Sequence, residues 1–181
     1  MRDKEVISEK SHLPTILHAT FSQTHILSGV ILVYSVLVKD QRMHFSASHF
    51  LRFCGDCEHL HGHNYTLEVA LSGPLNDDGM VIDFSMVKEQ AIGICKALDH
   101  KVMLPGESKT IAVKEDSEFI EVNVGEKRYV FPKEDCIIIP TKATTAELLA
   151  RYIHNQLKFQ PGFRVRVCVS ESAGSTACFE D

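Results

Sequence analysis

Residues 61–73 read His-Gly-His-Asn-Tyr-Thr-Leu-Glu-Val-Ala-Leu-Ser-Gly, and this stretch constrains the chain more than any other. From Asn64 to Gly73 apolar and polar residues alternate. Tyr65, Leu67, Val69 and Leu71 fall on one face of a strand, and Thr66, Glu68 and Ala70 on the other. Extended backbone sends residues i and i+2 to the same side, so His61 and His63 point together just where the apolar stripe stops. The strand must therefore be half-buried and must carry two imidazoles at one end. Gly62 between them leaves room for close approach.

The flanking text supplies partners. Val30 to Ser48 reads as one or two strands, and in Phe45-Ser46-Ala47-Ser48-His49 the residues Phe45, Ala47 and His49 share a face. Leu75 to Gly79 is a turn. Asp83 is a helix cap, and Phe84, Val87, Ala91, Ile94 and Leu98 mark a helical stripe. Residues 105–140 read as an inserted β-hairpin, with Phe119–Val124 and Lys127–Phe131 flanking a turn at Gly125. Thr144 and Glu147 form a capping box before a second helix with Leu148, Leu149, Tyr152, Ile153 and Leu157 on its buried face. Phe163, Val165, Val167 and Val169 alternate in a last strand. The order β-β-α-(hairpin)-α-β predicts an α+β fold, an antiparallel sheet with two helices on one face. A length of 181 residues suits one domain. We expect a loosely held extension over 1–25 and a single domain over 26–181.

Charge and hydropathy narrow the partners. The net charge is −5 and no basic block occurs, which predicts no nucleic acid and no anionic membrane as partner. The longest apolar run, Ile26 to Val38, is shorter than the roughly 20 residues that cross a bilayer. It lies behind a mixed-charge start, unlike a signal peptide, so the expected location is cytoplasmic. The cysteines at 54, 57, 95, 136, 168 and 178 are then expected to be mostly reduced, with Cys95 and Cys168 as core residues.

Four of the ten histidines fall between His49 and His63. Three neutral imidazoles, His49, His61 and His63, with an open fourth position, are a donor set for catalytic zinc. Cys54-Gly55-Asp56-Cys57 offers a competing reading as a structural zinc or redox pair, but no second Cys-x-x-Cys follows it. A cupin motif is nearly matched by Gly55, His61, His63 and Glu68. However, Glu68 belongs to the opposite strand face from the two histidines, and two helices fit that fold poorly.

FSASH (45–49), CEHLHGHNY (57–65), VIDFSMVK (81–88), ALDH (97–100), TTAELLARYI (144–153) and VSES (169–172) occur here in the order seen in 6-pyruvoyl- and 6-carboxy-tetrahydropterin synthases, and the chain resembles that family. The resemblance implies the tunnelling fold: a four-stranded antiparallel sheet with paired helices, whose subunits assemble as a trimer or hexamer with sites between subunits. It implies zinc on His49, His61 and His63, Cys57 as general base, Asp99 and His100 as proton relay, and Glu171 as anchor of a pterin substrate. Zinc would lower the pKa of the substrate hydroxyls, and a thiol beside a cation is readily deprotonated. Asp99 would orient His100, and Glu171 would offer two acceptor oxygens to the pterin edge.

The resemblance leaves the product open. The first expectation is a zinc-dependent 6-carboxy-5,6,7,8-tetrahydropterin synthase converting 7,8-dihydroneopterin triphosphate on the path to deazapurine nucleosides such as queuosine. Alternatives are 6-pyruvoyl-tetrahydropterin synthase, by triphosphate elimination, and a dual-activity enzyme also making 6-hydroxymethyl-dihydropterin for folate. The latter arises because Glu58 stands three residues before His-Gly-His, where some members carry a catalytic glutamate. A non-enzymatic zinc-binding or redox module is the remaining alternative. Residues 105–140 and 1–25 have no counterpart in the shortest members.

Overall fold

The computed structural model describes residues 33–52 and 55–181. The expected 1–25 extension, the part of the apolar run before Val33, and Cys54 lie outside the described residues. The strand that anchors the sequence reading is present as β3 (His61–Gly73), preceded by β1 (Tyr34–Val38) and β2 (His44–His49). β1 and β2 pair antiparallel with successive halves of β3, Tyr34 opposite Gly73 and His49 opposite His61. Tyr65, Leu67, Val69 and Leu71 are all buried, as the alternation requires. Glu68 lies on the other face and pairs with Lys39 at 2.5 Å, so no bulge turns it toward the histidines.

The helix α1 (Phe84–Leu98) starts where Asp83 accepts a hydrogen bond from the Ser85 amide at 2.7 Å. Its buried stripe is Val87, Ala91, Cys95 and Leu98, whereas Phe84 is 52% exposed. After it come β4 (Lys101–Pro105), β5 (Ile111–Glu115), β6 (Phe119–Val124), β7 (Lys127–Pro132) and β8 (Cys136–Ile139). The second helix, α2 (Ala146–Gln156), is followed by β9 (Arg164–Ser172) and β10 (Ser175–Glu180). Both helices contribute to one hydrophobic core with the β3 stripe, Phe45, Ala47, Val167 and Val169.

The four-stranded antiparallel sheet is corrected to a seven-stranded mixed one. Its order is β10-β9-β3-β2-β4-β8, with β1 also on β3. β2 with β4 and β4 with β8 run parallel. Strands in a parallel arrangement can be buried on both sides and read as plain apolar runs, as Ile137–Ile139 does, so alternation does not reveal them. The inserted hairpin is likewise corrected to a three-stranded sheet, β5-β6-β7. The expected β6 and β7 and their Gly125 turn are in place, and β5 adds a third strand. This small sheet has its own core, where Ile111, Ile120, Val122 and Val124 pack with Phe50 and Leu104.

Two smaller expectations also change. The capping box is absent: the cap of α2 is Thr145, which makes no side-chain capping bond. Cys168 is not a plain core thiol but is disulfide-bonded to Cys178, directly across the β9–β10 ladder. β10 is short and largely exposed, and its partner role is invisible without the hairpin. Among the described residues, no helix is long and apolar enough to cross a membrane.

The fold places different costs on its two sheets. Leu71 is fully buried in the main core, and Leu71→Ala should cost about 2–5 kcal/mol by transfer and cavity terms. Val130 on β7 is 49% exposed, and Val130→Ala should stay within about 0.5 kcal/mol of wild type. Urea denaturation midpoints of the two variants check both values.

Candidate metal centre

The helix-facing side of the sheet changes chemistry along its length. The β3 stripe Leu71, Val69, Leu67 and Tyr65 is apolar, and the next two positions on that face are His63 and His61. Beside them β2 runs Phe45, Ala47, His49 on the same face. The ladder sets His49 directly opposite His61 and Ala47 opposite His63. Gly62 permits the close pairing, since a Cβ there would stand 3.1 Å from the Ala47 carbonyl oxygen. One donor nitrogen from each of His49, His61 and His63 lies within 4.8 Å of the others.

Hydrogen bonds fix two of the three imidazoles. His49 Nδ1 lies 2.9 Å from the Thr144 carbonyl oxygen and 3.2 Å from its hydroxyl. His61 Nδ1 lies 2.8 Å from the His59 carbonyl oxygen. A carbonyl only accepts, so Nδ1 carries the proton in both rings and Nε2 keeps its lone pair for a metal ion. His49 is 1% exposed, and burial pushes its pKa down to about 4, assisted by the neighbouring His61 and His63 charges and opposed by the bond to Thr144. A neutral imidazole is the ligating form. The donor set and its backbone supports thus fit a divalent metal ion.

Thr144 and Tyr65 belong to the site and were missed as site residues in the sequence. Thr144 is fully buried just ahead of α2, which is why it orients His49 instead of capping the helix. Tyr65 stacks on Phe45 with ring centroids 4.8 Å apart, and its hydroxyl lies 3.5 Å from His49 Nε2. Burial pushes the Tyr65 hydroxyl pKa up, and the charge of Glu171 adds to it; in the β3–β9 ladder the adjoining residues Thr66 and Ser170 stand opposite each other. A tyrosine hydroxyl in a core stripe needs a polar partner, and that was the available signal.

The remaining candidates lie outside the ligand group. Cys57 and Glu58 belong to a 3₁₀ turn, Gly55–Glu58, immediately before β3. Successive residues in such a turn are about 120° apart, so the two side chains are not forced to opposite sides as in a strand. Asp99 caps α1, and its carboxylate accepts from the Ser46 amide at 2.7 Å and from His100 Nδ1 at 2.9 Å. The Ser46 bond, with His100 as the smaller contribution, holds the Asp99 carboxyl below the usual carboxylate range. His100 has φ 59°, a left-handed backbone rare for a non-glycine, and its side chain is 84% exposed. His100 and His63 line one open cavity of about 470 Å³ with Ser46, Asn64 and Lys101.

Comparison with known proteins gives consistent matches. Residues 39–181 match the family model described as 6-pyruvoyl tetrahydropterin synthase. A Methanocaldococcus jannaschii protein, provisionally named 6-carboxy-5,6,7,8-tetrahydropterin synthase, is 32% identical over 76% of this chain and 89% of its own length. The Rickettsia bellii 6-carboxy-5,6,7,8-tetrahydropterin synthase is 31% identical over 65% of this chain and 77% of its own. The crystal structure of Plasmodium vivax 6-pyruvoyltetrahydropterin synthase superimposes with a TM-score of 0.77 at 35% identity, covering 83% of this chain and 98% of that one. Two other solved forms of the P. vivax protein are variants in which a glutamate described as a catalytic residue is replaced by alanine or by cysteine.

The buried neutral state of His49 has a pH signature. Its folded pKa of about 4 lies below the ordinary value near 6.5, so between those pH values the unfolded chain binds a proton that the folded chain does not. Stability of the metal-free protein should therefore fall as pH drops from about 6.5 to about 4, by about 3 kcal/mol from this group. His49→Gln should flatten that part of the denaturation-against-pH curve. An unchanged slope in the variant would remove His49 as the buried neutral imidazole.

Proposed function

The chain belongs to the 6-pyruvoyl tetrahydropterin synthase family, and on that footing we propose that it is a zinc-dependent 6-carboxy-5,6,7,8-tetrahydropterin synthase acting on 7,8-dihydroneopterin triphosphate. The observation that carries the reading is the three-imidazole cluster of His49, His61 and His63 at the open end of the helix-facing side. The names of the M. jannaschii and R. bellii relatives favour the carboxy product, whose further use would be deazapurine nucleoside synthesis.

Three imidazoles with an open fourth position suit zinc, which when bound would polarise the substrate's side-chain hydroxyls and lower their pKa. The chain's own groups do the rest. Cys57, half-buried on the turn before β3, takes a proton from a side-chain carbon. Asp99 holds His100 with Nδ1 protonated and Nε2 outward, ready to pass a proton. Glu171 accepts hydrogen bonds from the pterin's N–H and amino edge, a role supported by its place on β9, next to Ser170 in the ladder with Thr66.

A second activity, formation of 6-hydroxymethyl-dihydropterin through Glu58, is favoured by one specific observation. The P. vivax relative carries a catalytic glutamate, and here Glu58 shares a 3₁₀ turn with Cys57. We propose a dual enzyme in which each base serves its own product. We also propose a trimer or hexamer with sites between subunits, a reading supported by β8 and β10 standing at the two ends of the sheet.

Zinc should bind in a ratio of one per chain, and His61→Ala should remove most of it together with turnover, by elemental analysis and product mass. Cys57→Ala should lower carboxy or pyruvoyl product by about 10²–10⁴ while zinc stays bound. Glu58→Ala should spare that product and abolish the hydroxymethyl one. Full activity in Cys57→Ala with a dead Glu58→Ala reverses the two roles. Light scattering at micromolar concentration should show no 20.3 kDa monomer.

A further inference from the structure

The small sheet β5-β6-β7 is not a detached ornament, because its β6–β7 turn touches the segment that carries both candidate bases. That segment runs from the end of β2 to the start of β3. Phe50 anchors its first end, fully buried in the small sheet's core and stacked on Tyr129 with ring centroids 5.4 Å apart. The Leu51 amide donates to the Cys57 carbonyl at 2.8 Å, which closes the segment into a loop.

Arg52 then reaches across that loop. Its Nη1 lies 3.2 Å from Glu58 Oε2, and the two side chains are 25% and 28% exposed. On its other side the guanidinium rests against Gly125 in the β6–β7 turn. A Cβ added at Gly125 would stand 3.0 Å from Nη1 and 3.3 Å from Cζ. Gly125 also has φ +61°, which the two-residue turn demands. The same turn leads into Lys127, whose Nζ lies 3.3 Å from His59 Nδ1. The His59 carbonyl in turn holds His61. The β6–β7 turn therefore meets the loop at two points, Gly125 against Arg52 and Lys127 against His59.

We infer that Arg52, lodged between Gly125 and Glu58, is a positioning residue that sets how much of the turnover passes through Glu58. A base must sit within hydrogen-bond reach of the proton it removes, and small displacements cost rate steeply. An ion pair through one carboxylate oxygen fixes the plane and reach of Glu58, and the guanidinium is itself fixed by Gly125. Cys57 is tied to the loop through its backbone carbonyl, which accepts from the Leu51 amide, a contact separate from the Arg52–Glu58 side-chain pair. Arg52 thus acts on one of the two products selectively. The inference rests on the dual-activity reading above.

The test compares wild type with Arg52→Gln, Arg52→Lys, Gly125→Asn and Arg128→Gln. Gly125→Asn adds a Cβ against the guanidinium and also strains the turn at φ +61°, so it is read beside Arg52→Gln, which leaves the turn unchanged. Arg128→Gln is the control: it removes an ion pair to Glu121 within the same sheet. Each protein, zinc-loaded, is given dihydroneopterin triphosphate, and both products are measured by mass. Arg52→Gln and Gly125→Asn should lower the ratio of hydroxymethyl to carboxy or pyruvoyl product by about tenfold, less than the roughly 10²–10⁴ that complete loss of a base costs. Arg52→Lys should recover part of the ratio, and Arg128→Gln should leave it at the wild-type value.

Hydrogen exchange of the amides at 51, 52 and 55–59, in metal-loaded protein without substrate, gives a readout independent of turnover. It should accelerate in Arg52→Gln and Gly125→Asn and not in Arg128→Gln. An unmoved ratio, an equal fall of both products, or unchanged exchange in the loop overturns the inference. Wild type that makes only carboxy or pyruvoyl product overturns it too and leaves the family chemistry standing. Wild type that consumes no dihydroneopterin triphosphate overturns the enzyme reading itself, while loop exchange still reports whether Arg52 holds the segment.

Discussion

The register of β2 on β3 sets His49 opposite His61, and the site depends on that pairing. Side chains in a strand alternate with period two, so a slip of β2 by one residue would turn His49, with Phe45 and Ala47, to the face opposite His61, His63 and the β3 stripe. The same constraint therefore builds the core and the metal centre. Phe45, Tyr65, Leu67 and Val69 pull the face under the helices, and the histidines follow because they share its phase. Thr144 then closes over the buried end and holds His49 with Nδ1 protonated.

The parts of the fold that were legible are those with a strong local period. α1 and the β6–β7 hairpin appear within a residue or two of the reading from sequence, and β3 ends where expected but starts three residues earlier, at His61, because alternation, an Asp cap and a glycine turn are local signals. The parts that were not legible are set by partners far along the chain. β4 and β8 are short apolar runs whose only distinguishing feature is a parallel neighbour. The Cys168–Cys178 bridge requires knowing that β10 folds back on β9. The Thr144–Glu147 pattern matched a capping box, but burial beside His49 gave Thr144 another partner, a case of tertiary context overriding a local motif.

Much the same division holds for the site. His49, His61 and His63 were found because two lie at i and i+2 and the third shares a strand phase with Phe45 and Ala47. Asp99 ends α1 as its C-cap, and it also bonds His100. Tyr65 was read only as a core residue, since nothing in the text shows that its hydroxyl ends beside His49. The contact between Arg52 and Gly125 joins positions with no shared pattern, so only the packed structure displays it.

The ligand set has a temporal side as well. All three imidazoles lie between positions 49 and 63, and the β2–β3 pairing that gathers them closes only a short loop. Short loops cost little entropy and close quickly. Thr144, by contrast, lies 95 residues from His49 in the chain. During synthesis, which proceeds from the N-terminus, the donors leave the ribosome long before the residue that fixes His49's tautomer and the strand that carries Glu171. A metal ion meeting the nascent hairpin would find its nitrogens already clustered. Affinity would then rise in a second stage, when α2 and β9 dock, so that loading and completion of the fold reinforce one another.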